Sequence, residues 1–395
     1  MSLQRSILRT VLNAPMSLAD LQQATQVSLP TLRRAVQDLS DAQWIRVVGQ
    51  AEANGGRPAM LFGVDSRRFV IVGVHLQLPG MRLITSDLTG EVLDEEKHFD
   101  RATPTPEESI LAVVAYVERI RASFTDRAIL GIGIASPGFT DPATGDIISI
   151  GRVPTWENFA ICRRLQAMLD LPVQIANDVD CMAFAEFQHT SEPLEKNLAY
   201  VGYDEAVKVS LFLRGELYKG SLGNAGLIGS HLINAGDQLD SANVHRLLTV
   251  VGVNQIFEER VAALSKDERT AYAPILAVTN PRERFRQILH AADDANPVCL
   301  AIVQDLTAAL SAAVGNVVLV VQPDVVVIGG FLSALTGPRS VELESAIRRQ
   351  LPRLLSNNVL IRQSRFTSQN AAALGANHHF YRFFFRQRRT VGLIF

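Results

Sequence analysis

The sequence predicts a two-lobed α/β body preceded by a winged helix-turn-helix head. Residues 17–39, SLADLQQATQVSLPTLRRAVQDL, hold two capped amphipathic stretches separated by a tight turn. From Phe69 onward short apolar strands alternate with helical segments, the pattern of repeated strand–strand–helix–strand units with a cleft between two lobes. At 395 residues the chain also exceeds what one hydrophobic core supports, so two or three domains are expected. The expected divisions are 1–68 for the head, 69–190 for the first lobe and 191–395 for the second, with the C-terminal helix returning to the first lobe as a further option.

The head is read element by element. Leu3, Ile7, Leu8, Val11 and Leu12 recur at helical spacing. Ser17 caps a second helix that runs through Thr25, with Leu18 and Leu21 facing inward. After the turn at Gln26-Val27, Ser28 caps a third helix. Pro30 falls in its first turn, where a missing N–H costs little because those amides have no acceptor within the helix. Leu32, Val36 and Leu39 form the buried stripe, which leaves Thr31, Arg33, Arg34 and Gln37 pointing outward. Such a helix enters a major groove, where arginine pairs with guanine and Thr or Gln reaches bases or phosphates. Residues 44–48 and 60–64 read as the two strands of a wing. Gly55-Gly56-Arg57-Pro58 forms its tip, with Arg57 suited to a narrow A·T-rich minor groove. A three-helix unit used for protein contacts is the alternative reading of the same residues.

In the body, 70–74 and 82–87 read as a hairpin and 91–98 as a third strand, followed by a helix over 107–123 and a buried strand over 129–135. A helix ending at Leu169, a strand over 173–176 and a helix over 179–189 complete the first lobe. The second lobe contains strands at 198–201, 208–213 and 325–328 and a long helix over 299–321.

Composition narrows the classes. With 47% hydrophobic and 20% charged residues the chain is globular in character. No signal-peptide pattern and no apolar run of membrane-spanning length is read, so a cytoplasmic protein without a membrane partner is expected. Cys162, Cys181 and Cys299 are scattered without metal-ligand spacing, which fits a reducing compartment. The net charge of −2 is unevenly spread. Residues 1–70 carry eight Arg against five acids, a basic head on an acidic body. The last fifteen residues, YRFFFRQRRTVGLIF, hold four Arg and no acid, and read as an amphipathic end packing on the body or on a partner subunit, with a DNA or membrane contact as the alternative.

Several stretches of the body occur in a specific order: Gly131-Ile-Gly-Ile-Ala-Ser-Pro-Gly138, Leu171-Pro172-Val173 leading to Asn177-Asp178, Tyr218-Lys219-Gly220 leading to Asn224-Ala225-Gly226, Val327-Ile328-Gly329-Gly330 and Ala373-Leu374-Gly375-Ala376. In that order they resemble the ROK family (repressors, open reading frames, kinases), over nearly the whole chain. With the winged head, the resemblance is to the repressor branch, which includes xylose and N-acetylglucosamine repressors. It implies an actin-like, hexokinase-type fold, dimeric or tetrameric, with a sugar or sugar phosphate bound in the cleft. The ligand contacts it implies are Asn177 and Asp178, with Gly138 offering its backbone. Helix capping by Asn177-Asp178 and a tight turn at Gly138 are the structural alternatives.

The departures from the family pattern carry as much weight. The DxGGT phosphate loop of the family's kinases is replaced by Gly73-Val74-His75-Leu76-Gln77, with neither the acid nor the glycine pair that a triphosphate needs. Where a second phosphate segment belongs, Asp204-Glu205 would repel phosphate. The GEIGH signature becomes Gly226-Leu227-Ile228-Gly229-Ser230, and no cysteine follows over residues 232–252, so neither zinc nor any other cofactor is expected. His231 and His245 alone cannot complete a zinc site. Glu186, in mid-helix, reads as a solvated face or a packing partner. The reading that follows is a DNA-binding transcription regulator, not an enzyme, that binds an operator duplex as a homodimer or tetramer and senses a sugar or sugar phosphate. A sugar kinase with an appended head, and a regulator that answers to a protein partner, are the rivals.

Overall fold

In the computed structural model, residues 3–51, 58–77, 79–99, 103–141, 143–151, 153–188, 197–203, 206–230, 246–335, 337–366 and 370–384 are described. The chain forms two compact units, Met1–Gln188 with Ala372–Phe395, and His189–Ala371.

The first unit begins with α1 (Leu3–Asn13), α2 (Leu18–Thr25) and α3 (Leu29–Asp41), followed by the antiparallel pair β1 (Ile45–Gln50) and β2 (Met60–Val64). Local chemistry sets the helix ends. Ser17 and Asp20 form a reciprocal capping box, with the Ser17 amide donating to Asp20 Oδ2 at 2.9 Å and the Asp20 amide donating to Ser17 Oγ at 3.2 Å. These bonds hold the Asp20 carboxyl below the usual carboxylate range. Such a cap stabilises a helix by about 1 kcal/mol. Gln26, at φ 57°, closes α2 in the left-handed conformation and turns the chain into α3.

A five-stranded sheet follows, ordered β5-β4-β3-β6-β9, where β3 is Phe69–Leu76, β4 Met81–Asp87, β5 Val92–His98, β6 Ala128–Ser136 and β9 Val173–Asn177. The first three strands form an antiparallel meander, while β6 lies parallel to β3 and β9 parallel to β6. Parallel neighbours need crossovers, supplied here by α4 (Pro106–Ser123) and α5 (Ile161–Leu169). A small hairpin, β7 (Phe139–Thr140) with β8 (Ile147–Ser149), lies between β6 and α5, and α6 (Asp178–Gln188) leaves the end of β9.

The head is not joined to this sheet by a linker. Ile7, Leu8, Leu21, Leu32, Val36, Leu39 and Trp44 share one core with Phe69, Ile71, Leu88 and Leu130 of the sheet region and with Phe380, Tyr381 and Phe384 of the C-terminal helix (Ala371–Phe384). Trp44 stacks on Phe69 with ring centroids 4.2 Å apart, a contact worth about 0.5–1.5 kcal/mol beyond the area it buries. The described part of the arginine-rich C-terminal end therefore packs inward, while residues 385–395 lie outside the described residues.

The second unit repeats the sheet plan. Its order is β12-β11-β10-β13-β14, with β10 Leu198–Tyr203, β11 Val207–Leu213, β12 Glu216–Tyr218, β13 Val325–Gly330 and β14 Leu360–Gln363. Again three antiparallel strands are followed by two parallel ones. The long helix Pro297–Val321 makes the crossover between β12 and β13, and helices Val250–Ala262 and Pro281–Asp293 precede it. The sequence reading found no apolar run of membrane-spanning length, and this helix corrects it. Its 25 residues are long and apolar enough to cross a bilayer by length and composition, with Asp305 as the sole charge. Ile302, Val303, Leu306, Leu310, Val314 and Val318 instead fill the core of the second unit. A core helix enclosed on most sides reads in sequence like a membrane span.

The C-terminal helix lies so close to the first sheet that glycine is obligatory beneath it. A Cβ on Gly133 would lie 2.2 Å from the Ala376 carbonyl oxygen, and one on Gly73 would lie 2.4 Å from that of Ala373. Both obstacles are backbone, which cannot rotate away. Gly133→Ala is therefore expected to destabilise the first unit by at least about 1–3 kcal/mol, whereas Gly49→Ala, with nothing within 4 Å of the added methyl, leaves the thermal midpoint unchanged. Differential scanning fluorimetry of the two variants beside the parent checks this.

Candidate nucleic-acid interface and ligand site

The third helix presents its outward residues as its periodicity dictates. Leu32, Val36 and Leu39 are buried, and Thr31, Arg33, Arg34 and Gln37 are exposed. These four are not equivalent. The Thr31 hydroxyl lies 2.8 Å from Ser28 Oγ, the capping oxygen, and the Gln37 amide nitrogen donates to Asp41 Oδ1 at 2.7 Å. Neither engagement was anticipated from the sequence, although a Gln–Asp pair four residues apart on a helix has the right spacing to meet. Among the described residues, no carboxylate pairs with Arg33 or Arg34. The exposed charges on α3 thus run from the two guanidinium groups near its start to Asp38 and Asp41 near its end, so the N-terminal half is the part able to meet phosphate or base edges.

The wing strands pair from Ile45↔Val64 to Gln50↔Met60, and the Ala51 amide continues the ladder to the Ala59 carbonyl at 2.8 Å. Ile45 and Phe62 anchor the hairpin in the core, while Val47, Val48 and Met60 stay exposed. Arg57 lies outside the described residues. At the foot of the wing, burial pushes the Asp65 carboxyl up, but hydrogen bonds and charge from Arg67, with the charge of Arg46, hold it below the usual range.

The three ligand-site candidates of the first unit come together at the ends of β6 and β9. Asn177 ends β9 opposite Ser136, and its side-chain amide donates to the Gly138 carbonyl at 3.2 Å. Its Oδ1 accepts from the Val179 amide at 3.1 Å, and Asp178 Oδ1 accepts from the same amide at 2.8 Å. Both residues are 7% exposed. Each meets a first-turn amide of α6, where a carboxylate also favours the helix dipole. Gly138 has φ 75°, and a Cβ there would stand 2.2 Å from the Ser149 carbonyl oxygen. Turn geometry and close packing against β8 thus account for that glycine. Phe139 and Ile148, on the hairpin beside it, remain exposed.

The stretch that replaces the phosphate loop is regular strand. Gly73 to Leu76 pair with β4, His75 lies opposite Arg82, and the Gln77 amide donates to the Gly80 carbonyl at 3.2 Å to close the hairpin. His75 is buried. In the second unit, Gly226 has φ 88° and lies against the Val209 carbonyl, and Leu227 is exposed where the family pattern places Glu. Asp204, Glu205, His231 and His245 lie outside the described residues. Glu186, one of whose two readings was a solvated face, is fully buried within α6.

Among the described residues no group of three or more His, Cys, Asp and Glu is arranged to hold a metal. The three cysteines are buried, and none is in a disulfide among the described residues. Burial pushes the Cys162 thiol up to about 12, with the charge of Asp146 adding to it, and the Cys299 thiol up to about 11. Neither is a thiolate at neutral pH, the form that attacks disulfides or binds metal.

The chain is 22% identical over 330 residues to the xylose repressor of Caldicellulosiruptor bescii, covering 82% of this chain and 81% of that one. It is likewise 22% identical over 362 residues to the N-acetylglucosamine repressor of Escherichia coli O6:H1, covering 90% and 87%. Among solved structures, a ROK family transcriptional regulator, a homologue of the E. coli MLC protein, superposes with a TM-score of 0.77 at 20% identity over 95% of each chain. The ROK family profile itself matches residues 72–381. With 78% of its length under that profile and both sheets in the same three-plus-two order, this chain belongs to the ROK family.

Proposed function

We propose that this protein is a DNA-binding transcription regulator, acting as a repressor, whose body senses a sugar or sugar-like ligand. The carrying observation is the exposed Arg33–Arg34 pair, without a carboxylate partner among the described residues, on a capped helix in a head that shares its core with a ROK body. The relatives named xylose repressor and N-acetylglucosamine repressor support the reading, and the alignment with the second, over 90% of this chain, is too long to lie within residues 69–395 alone. In this reading the chain acts as a cytoplasmic homodimer. Two heads meet half-sites ~34–36 Å apart on the duplex, and a ligand-driven shift between bodies ends their simultaneous engagement. Residues 1–68 act as the reading head, 69–190 with the C-terminal helix as one lobe, and 191–371 as the other.

The protein is not a kinase in this reading. A triphosphate needs free backbone amides, and the Gly73–Leu76 amides lie in a paired strand that lacks the family's acid and glycines. Asn177 and Asp178 keep the positions from which the family's kinases grip a sugar, so the pocket serves binding without phosphoryl transfer. Purified protein is expected to release no ADP from magnesium-ATP with any sugar in a panel. Steady sugar-dependent release that Asp178→Ala abolishes would establish the kinase reading instead.

Three further outcomes test the assignment. A duplex selected from a random-sequence library by the parent protein should bind the Arg33→Ala/Arg34→Ala variant at least about tenfold more weakly at matched salt, since each base contact is worth ~1–3 kcal/mol. Gln37→Ala should stay within about twofold, because its amide is already tied to Asp41. Undiminished binding by the double variant would remove α3 as the reading helix. Arg57→Ala should weaken sites with A·T-rich flanks selectively, where a narrow minor groove concentrates negative potential; an even loss over all flanks would make it a phosphate contact. In thermal-shift screening, a sugar at ~100 times its dissociation constant adds about 2.7 kcal/mol of stability. Asp178→Ala should erase that shift, and a panel in which no sugar shifts the parent would favour a protein effector.

A further inference from the structure

The junction between head and body is occupied by one side chain that faces both. Arg68 directly precedes β3, and its carbonyl accepts from the Ala128 amide at 2.9 Å, which seats its backbone on the sheet. Its guanidinium reaches the other way. Nη1 donates to the Ala42 carbonyl at 2.6 Å and to Gln43 Oε1 at 2.8 Å. Ala42 is the residue that ends α3, so the cation sits where the helix leaves its last carbonyls and the negative end of its dipole. The guanidinium carbon also lies 5.1 Å from the centroid of the Phe69 ring, which stacks in turn on Trp44. Asp65 engages the neighbouring Arg67 and Arg46, and among the described residues no carboxylate pairs with Arg68.

We propose that Arg68 is a positioning residue for DNA recognition: it latches the C-terminal end of α3 to the first unit and sets the angle at which Arg33 and Arg34 are presented. The inference rests on the head's reading of DNA. Arg68 acts through the helix and touches no nucleotide, because it is held at the opposite end of α3 from the two arginines. Nine residues separate Arg33 from Ala42, ~13 Å along the axis, so a tilt of ~10° at the latch displaces Arg33 by ~2 Å. That exceeds what a hydrogen bond to a base edge tolerates. With Arg68 in place the head moves as part of the first unit, and a signal changes the distance between two heads without loosening either.

The test uses full-length parent, Arg68→Ala and Arg68→Lys. Two probes are needed, a duplex selected from a random library by the parent and an unrelated duplex of equal length, each titrated over a salt series. Arg68→Ala is expected to bind the selected duplex about tenfold more weakly, the loss of one base contact, with unchanged affinity for the unrelated duplex and an unchanged salt slope. Arg68→Lys, which keeps a donor at the two oxygens but not the planar stack, should recover part of the loss. Spin labels on Gln23→Cys and Ala115→Cys, both exposed positions in a protein whose own cysteines are buried, should give one narrow distance distribution that Arg68→Ala broadens. Equal binding of the selected duplex by Arg68→Ala would overturn the latch, as would an equal loss on both duplexes with a salt slope reduced by about one. A parent that selects no sequence contradicts the DNA-binding reading alone, and the label distances still decide whether Arg68 holds the head.

Discussion

The close seating of the C-terminal helix on the first sheet is the constraint on which the rest of that unit depends. Two glycines, Gly73 on β3 and Gly133 on β6, let the carbonyls of Ala373 and Ala376 approach where any side chain would collide. Asn377 then donates to the Ile71 carbonyl at 3.2 Å and to Ser86 Oγ at 2.8 Å, tying the helix to two strands. Gly375, on another side of the helix, lies against the Cys181 carbonyl of α6, the helix that begins with Asp178. One further turn along, Phe380, Tyr381 and Phe384 enter the core that holds the reading head. One helix therefore touches α6, which begins at the candidate ligand residue Asp178, at one end and the core of the head at the other. Packed interiors yield in discrete steps rather than continuously, which is the property a switch needs.

The two units show what the fold preserves and what it has released. Both keep three antiparallel strands followed by two parallel ones, an order fixed by hydrogen bonding and crossovers over many residues. Phosphate chemistry, by contrast, depends on a few positions. In β3, His75 is buried within a paired strand where the family's kinases resemble one another at a phosphate loop, and Leu227 stands exposed where the family pattern has an acid, while the three-plus-two sheet order remains. Asn177 and Asp178 both accept from the Val179 amide and so hold the start of α6.

What could be read from the sequence was what depends on near neighbours. Ser17 and Ser28 cap helices through residues three positions away, and the outward set on α3 follows from the Leu32–Val36–Leu39 stripe, so both were legible. The Gln37–Asp41 pair is equally local, four residues apart on one face of α3. Other features depend on distant partners. The crowding that requires glycine at position 138 comes from Ser149, eleven residues on, and the contact from Arg68 to Ala42 spans 26 residues. The long helix Pro297–Val321 shows the converse error, since its apolarity is visible in sequence but its enclosure is not. The shared core of head, sheet and C-terminal helix joins three segments that periodicity treats separately.

Coupling between the reading head and the ligand site is the central claim, and linkage gives it a direct test. If a sugar weakens duplex binding by some factor, the duplex must weaken sugar binding by the same factor. Calorimetric titration of a stabilising sugar into the protein, alone and saturated with its selected duplex, measures both sides of that cycle. A reciprocal change of about 5–150-fold, the range of ordinary coupling free energies, is the result expected. A sugar affinity identical with and without bound duplex would contradict the account.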